Sequence, residues 1–199
     1  MITEQLICNA QKCFSYDQYR NYIQQLVEQH STSGKEKSED SINHTILNDR
    51  RMRRLEKTVK VPEGIKKRLS QFNSHVTWLV IAESWCADGA QMLPVIHKIA
   101  ELNDGINLKI VLRDDNETLM DEFLTNGARA IPKLIMIDNT TEEVIGTYGP
   151  RPSAVTKIVE EYKQVHEKIT PEFKEELQRW YNKDKGQTIM EDLMRLLKR

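Results

Sequence analysis

Residues 75–82, His-Val-Thr-Trp-Leu-Val-Ile-Ala, restrict the fold of this chain more than any other segment. A short run rich in β-branched and apolar side chains, without polar alternation, reads as a strand buried on both faces. The segments after it supply the covering layers. Helical periodicity over 88–102 is followed by a strand at 106–112 and a helix at 116–125. Strands at 133–138 and 143–148 are joined through Asn139-Thr140-Thr141, and Pro152 or Ser153 starts a further helix. The order β-α-β-α-β-β-α predicts an α/β fold with one central mixed sheet and helices on both of its faces.

Both flanks read as helical. Tyr16, Tyr19, Ile23, Leu26 and Val27 recur at helical spacing behind Ser15, a candidate cap. Residues 41–57 predict a second helix, and Pro62 opens a third that runs toward Phe72. Between the first two lies His-Ser-Thr-Ser-Gly-Lys-Glu-Lys-Ser-Glu-Asp at 30–40, which has no apolar residue and reads as a flexible connection. Beyond residue 165, helical spacing at 171–181 and 188–197 is separated by a Lys-Asp-Lys-Gly break. The expected division is a helical N-terminal extension over 1–71 with a polar linker at 30–40, a central domain over 72–165, and a helical C-terminal extension over 166–199.

A formal net charge of −1, with 39% hydrophobic and 30% charged residues, suits a globular chain with a heavily charged surface and gives no reason to expect nucleic acid. The first ten residues lack a basic n-region, and no run approaches the ~20 apolar residues of a membrane span. A cytoplasmic location and no membrane partner are therefore expected. The three cysteines, Cys8, Cys13 and Cys86, form an odd set that argues against a disulfide scaffold. Cys8 and Cys13 read as ordinary thiols. His44, His75, His97 and His166 show no ligand spacing with Cys86, so neither metal nor cofactor is expected.

The chemistry concentrates at 83–94, Glu-Ser-Trp-Cys-Ala-Asp-Gly-Ala-Gln-Met-Leu-Pro, where the buried strand gives way to a helix. Unpaired amides at a helix start favour thiolate over thiol, and the thiolate is the nucleophile. That effect is worth roughly 0.3–1 kcal/mol. Asp88, close to the sulfur, opposes it by roughly 0.6–2 kcal/mol, so the two nearly cancel. Lys133, Arg129 or Arg151 could tip the balance by approaching Cys86. Pro94, inside the helix, removes a hydrogen bond and should kink the axis.

Trp85, Cys86 and Pro94, together with Gly127-Ala128-Arg129-Ala130-Ile131-Pro132 ahead of a strand and Glu143-Val144 with Gly149, resemble the thioredoxin family. The resemblance implies a thioredoxin-like fold in which Pro132 is cis and sits against Cys86, while main-chain groups of Ile131 pair with an extended substrate peptide. Trp85 would either shield the thiol and contact substrate or simply pack. Two departures bear on activity: Gly89 replaces the second motif cysteine, and Val80 stands where many members carry a buried acid. The Trp-Cys-x-Asp-x-x-Gln pattern, Leu-Arg-Asp-Asp-Asn at 112–116 and Tyr-Gly-Pro-Arg-Pro at 148–152 resemble a bacterial thioredoxin-like subgroup that keeps only the first cysteine.

The resemblance implies one-thiol redox work by Cys86, through exchange with protein thiols or disulfides or with glutathione, or through oxidation sensing. As an enzyme the chain would be a thiol-disulfide oxidoreductase using one cysteine. The alternative is a non-catalytic module that binds protein or peptide on the same fold. Pairing of two copies through the amphipathic end helices is a third reading. Residues 48–54, Asn-Asp-Arg-Arg-Met-Arg-Arg, could form an anion-binding patch, although arginines beside acids on a helix read more simply as a solvated face. Arg113, Asp114 and Asp115 end a strand near the switch in sheet order, where structural pairing is the simpler reading.

Overall fold

The computed structural model describes residues 13–198, so Cys8 lies outside the described residues. In chain order the elements are α1 (Tyr16–Glu28), α2 (Glu39–Thr58), α3 (Glu63–Leu69), β1 (Val76–Ala82), α4 (Ala87–Ala100), β2 (Ile106–Leu112), α5 (Glu117–Asp121), β3 (Lys133–Asp138), β4 (Val144–Tyr148), α6 (Ser153–Val165), α7 (Pro171–Asp184) and α8 (Gln187–Leu196). The sheet order is β2-β1-β3-β4, with β1 parallel to β2 and antiparallel to β3, and β4 antiparallel to β3. Outside β2, Phe14 adds one antiparallel bridge, its N–H donating to Ile110 O at 2.8 Å and its carbonyl accepting from Ile110 N–H at 2.9 Å.

Every residue of β1 is buried, because both sheet faces are covered. Val76, Trp78, Val80 and Ala82 point into a core shared with α1, α2, α3, α4 and α8. Leu79 and Ile81 face the other way, against Val111, Leu119, Met120, Phe123, Ile131, Ile135 and Ile137. This two-residue alternation is hidden in the sequence because both sets are apolar. Each large side chain so buried contributes roughly 1.5–3 kcal/mol.

The flanking helices pack on the sheet. Ser15 and Gln18 form a reciprocal cap that starts α1, with Ser15 Oγ accepting from Gln18 N–H at 3.2 Å and Gln18 Oε1 accepting from Ser15 N–H at 2.8 Å. Arg20 then ties α1 to α2 through Asp49 at 3.0 Å and Glu56 at 2.5 Å. At the other end, α8 sends Ile189, Met190, Leu193, Met194 and Leu196 into the main core. The helix expected at Pro152 or Ser153 forms as α6, but its buried Val155 and Val159 join Phe173, Leu177 and Tyr181 of α7 in a small cluster of their own. Two valines cover little surface, and the longer apolar stripe of α8 closes the sheet instead.

The flexible connection expected at 30–40 is a correction. Thr32 is wholly buried, and α2 begins at Glu39, capped by Ser38. Hydrogen bonds to distant residues hold this segment, and composition carries no trace of them. Among the described residues no helix is long and apolar enough to cross a membrane.

Candidate functional site

Cys86 is the N-cap of α4, where β1 has just ended. Its Sγ accepts from Gly89 N–H at 3.4 Å and its S–H donates to Ile131 O at 3.3 Å. The Ile131–Pro132 peptide beside it is cis, as is Gly149–Pro150. The sulfur was expected to emerge at the strand-to-helix junction. It lies at that junction, but Cys86 is only 7% exposed and packs with Ile131 and the apolar cluster on the second sheet face. Burial, and after it the Asp88 carboxylate, push the thiol up to about 12, against the opposing pull of the Gly89 and Asp88 amides and of Arg151. The near-cancellation expected at the helix start is thus decided by desolvation, which a sequence does not display.

The three cations that could have favoured a thiolate are otherwise engaged. Arg129 pairs with Asp121 at 2.6 Å and Glu117 at 2.7 Å, and Lys133 Nζ donates to Thr125 Oγ1 at 2.5 Å. Arg151 Nε lies 2.9 Å from Asp88 Oδ2. Asp88 Oδ1 also accepts from Tyr181 O–H of α7 at 2.8 Å. Burial raises the Asp88 pKa, and Arg151 and Tyr181 resist the rise.

Gly89 leaves the geometry of a two-cysteine motif intact. A Cβ placed there would sit 3.5 Å from Cys86 Cβ, at the edge of the roughly 3.5–4.5 Å found across disulfides. Only the second sulfur is missing. Pro94 is buried within α4, which continues through it, and it does not line the cleft at Cys86. Val80 belongs to the main core.

Ile131 is buried, and its carbonyl is taken by the Cys86 thiol, while its N–H has no acceptor among the described residues. Gly149, at φ 113°, lets the chain pass close against the Pro132 carbonyl where a side chain would collide. Trp85 is half-buried. The Arg113 guanidinium carbon lies 4.9 Å from its ring centroid, and a Cβ on Gly34 would come within 2.8 Å of its Nε1. Arg113 also pairs with Asp114 at 2.7 Å.

Behind Trp85 lies a polar knot absent from the sequence reading. Glu83 is 1% exposed, and its carboxylate accepts from Asp114 N–H at 2.9 Å and from Ser33 Oγ–H. Burial raises its pKa, and those donors hold the rise back. Ser84 Oγ accepts from Ser33 N–H at 3.0 Å and lies 2.8 Å from Thr45 Oγ1, which is 2.8 Å from Thr32 Oγ1. Asn48 Nδ2 donates to Ser84 O at 2.9 Å. The one available signal was Glu83-Ser84, two polar residues directly after an apolar strand.

These parts enclose a cleft of about 650 Å³, walled by α2, the β1–α4 loop, residues 129–131, Arg151 and α7. Cys86, Trp85, Asp88 and Ile131 line it, whereas Pro132 does not. Among the described residues no three His, Cys, Asp or Glu side chains are grouped to hold a metal ion.

A family model described as Thioredoxin matches residues 34–163. The chain belongs to the thioredoxin family. The matched span begins inside the polar segment at 30–40 and includes α2 and α3, so the family domain takes in more than the sheet and its crossover helices. Among solved structures, the chain is similar to a protein of unknown function from Pseudomonas aeruginosa, at 20% identity, TM-score 0.59, with 93% of this chain and 98% of that chain covered. It is also similar to an HIV epitope-scaffold, at 18% identity, TM-score 0.58 and the same 93% and 98% coverage. These likenesses concern the fold. No curated protein matches the chain.

Proposed function

We propose that this thioredoxin-family chain is a non-catalytic binding module that takes an extended peptide in the cleft beside Pro132, with Cys86 serving as a structural thiol. It would represent the subgroup that keeps the first motif cysteine without the second. The observation that carries the reading is the Cys86 S–H donating to Ile131 O in a site 7% exposed. A donor must keep its proton, and burial, which pushes the pKa up to about 12, keeps the thiol protonated at neutral pH. The unused N–H of Ile131 and the apolar lining from Trp85, Ile131 and Leu177 suit a peptide backbone with apolar side chains.

One-thiol redox chemistry is the second reading. The Gly89 amide at Sγ and the nearby Arg151 favour it, but both act against a larger cost of burial. The apolar faces of α1 and α8 are spent on the chain's own core, so neither reading needs a second copy.

The test is site-resolved mass spectrometry after exposure to oxidised glutathione at neutral pH, with and without urea. Cys86 should stay unmodified in the folded protein and react once unfolded, and a Cys86→Ser protein should still bind peptides in the cleft. Prompt modification of folded Cys86, with binding lost in the serine variant, would restore the redox reading.

A further inference from the structure

We propose that the cleft selects peptides bearing a carboxylate and that Arg51 of α2 is the residue that reads it; this rests on the peptide-binding reading above. Residues 48–54 carry four arginines, and helix geometry gives them different tasks. Arg53 pairs with Asp49 at 2.8 Å, and Arg54 donates to Asn182 Oδ1 at 2.6 Å. Arg50 is exposed and does not line the cleft. Arg51 is half-buried and lines it.

Every other arginine on the cleft wall has a carboxylate. Arg113 has Asp114, Arg129 has Asp121 and Glu117, and Arg151 has Asp88. Arg51 has none among the described residues. Its Nη1 donates to Asn48 Oδ1 at 2.9 Å, and its remaining N–H groups make no hydrogen bond within the described chain. Asn48 is wholly buried and is itself fixed by its bond to Ser84 O, so the guanidinium is anchored on one edge and open on the other. Burial, and after it the repulsion of Arg54, lower the Arg51 pKa, and the field of Asp88, which makes no ion pair with Arg51, offsets only part of the fall.

The surrounding carboxylates do not pair with it. Asp88, also on the wall, is bonded to Arg151 and Tyr181, and Asp40 is exposed and lies 3.3 Å from His44. Glu175 faces Arg179 at 3.8 Å, whereas Lys174, another wall residue, has no ion-pair partner among the described residues. On the lining itself five arginine and lysine side chains, Arg51, Arg113, Arg129, Arg151 and Lys174, stand against three carboxylates, Asp40, Asp88 and Glu175, a surplus of positive charge. A guanidinium open on one edge matches a carboxylate, which can accept two parallel N–H bonds from it. The apolar walls beside it suit a peptide whose acidic residue has apolar neighbours, and partial exclusion of water strengthens the pairing.

Fluorescence polarisation with the full chain tests the assignment. The probes are two pools of labelled hexapeptides with random Leu, Val, Ala and Phe, one with Glu at a fixed central position and the other with Gln there. The Glu pool should bind at least about tenfold more tightly, and this advantage should shrink as salt is added. Arg51→Gln should bring the pools to parity, Arg51→Lys should keep part of the preference, and Arg54→Gln should keep all of it. Equal binding of the two pools by the native protein would overturn the charge assignment and leave the peptide reading standing. Failure of both pools to bind would overturn both. A Glu preference that survives in a folded Arg51→Gln protein would overturn the role of Arg51.

Discussion

Two segments from outside the sheet reach the Trp85–Cys86 loop, and they are fastened by different means. The strap at 32–34 is bound through buried hydroxyls, a carboxylate and an amide, with Ser33, Thr32, Thr45, Asn48, Glu83 and Ser84 in one network. The α6–α7 hairpin has its own apolar cluster and meets α4 through side chains, Tyr181 on Asp88 at 2.8 Å and Gln178 on Gln91 at 2.9 Å. The polar strap, though it has no apolar side chain, is woven into the domain. The more apolar hairpin is a cover resting on it. What binds a segment to a fold is the cost of leaving its partners unsatisfied, and buried polar groups carry that cost as surely as apolar ones.

The largest effect should come from breaking the strap. Thr45→Val keeps the shape but removes the hydroxyl that meets Thr32, Ser84 and the Ser41 carbonyl. Urea unfolding should show a loss of about 2–3 kcal/mol, and a loss below about 0.5 kcal/mol would show that the knot behaves like wet surface.

Cys86 lies between strap and cover, and pH sharpens its place there. Its folded pKa, raised to about 12, exceeds that of the unfolded chain, so the native state holds its proton where the unfolded state releases it. Stability must then fall as pH rises above the unfolded thiol value. Between pH 8.5 and 10.5 the native protein should lose roughly 2 kcal/mol more than Cys86→Ser. The buried tyrosines titrate in both proteins and cancel. Parallel pH profiles would mean an ionised or exposed sulfur.

The smallest effect belongs to the cover. Tyr181→Phe removes one hydrogen bond from an Asp88 that keeps Arg151, and should cost about 1 kcal/mol or less. Hydrogen exchange should quicken in α7 while β1 and α2 stay unchanged. Equal quickening in β1 would show that the hairpin and the sheet open as one unit.

The sheet was legible because its signal is local: residues 75–82 announce a strand covered on both faces, and the later segments follow in the order the structure shows. The strap was illegible because its fixation is not local. Ser33 and Glu83 are 50 residues apart, and small polar side chains leave no periodic pattern. Arg51 could be seen as one arginine of a cluster, but choosing it over Arg53 or Arg54 requires knowing which helix face meets the cleft. The depth of Cys86 was hidden for a related reason. Its burial comes from Ile131 and the neighbouring apolar cluster, assembled from β1, β2, α5 and β3.

The bond from Cys86 to the Ile131 carbonyl makes the sulfur a native gauge of breathing at this loop. The thiol touches the cleft with only 7% of its surface and is held by that carbonyl, so its labelling rate should rise whenever the wall loosens. No foreign dye or engineered residue is needed to follow that loosening.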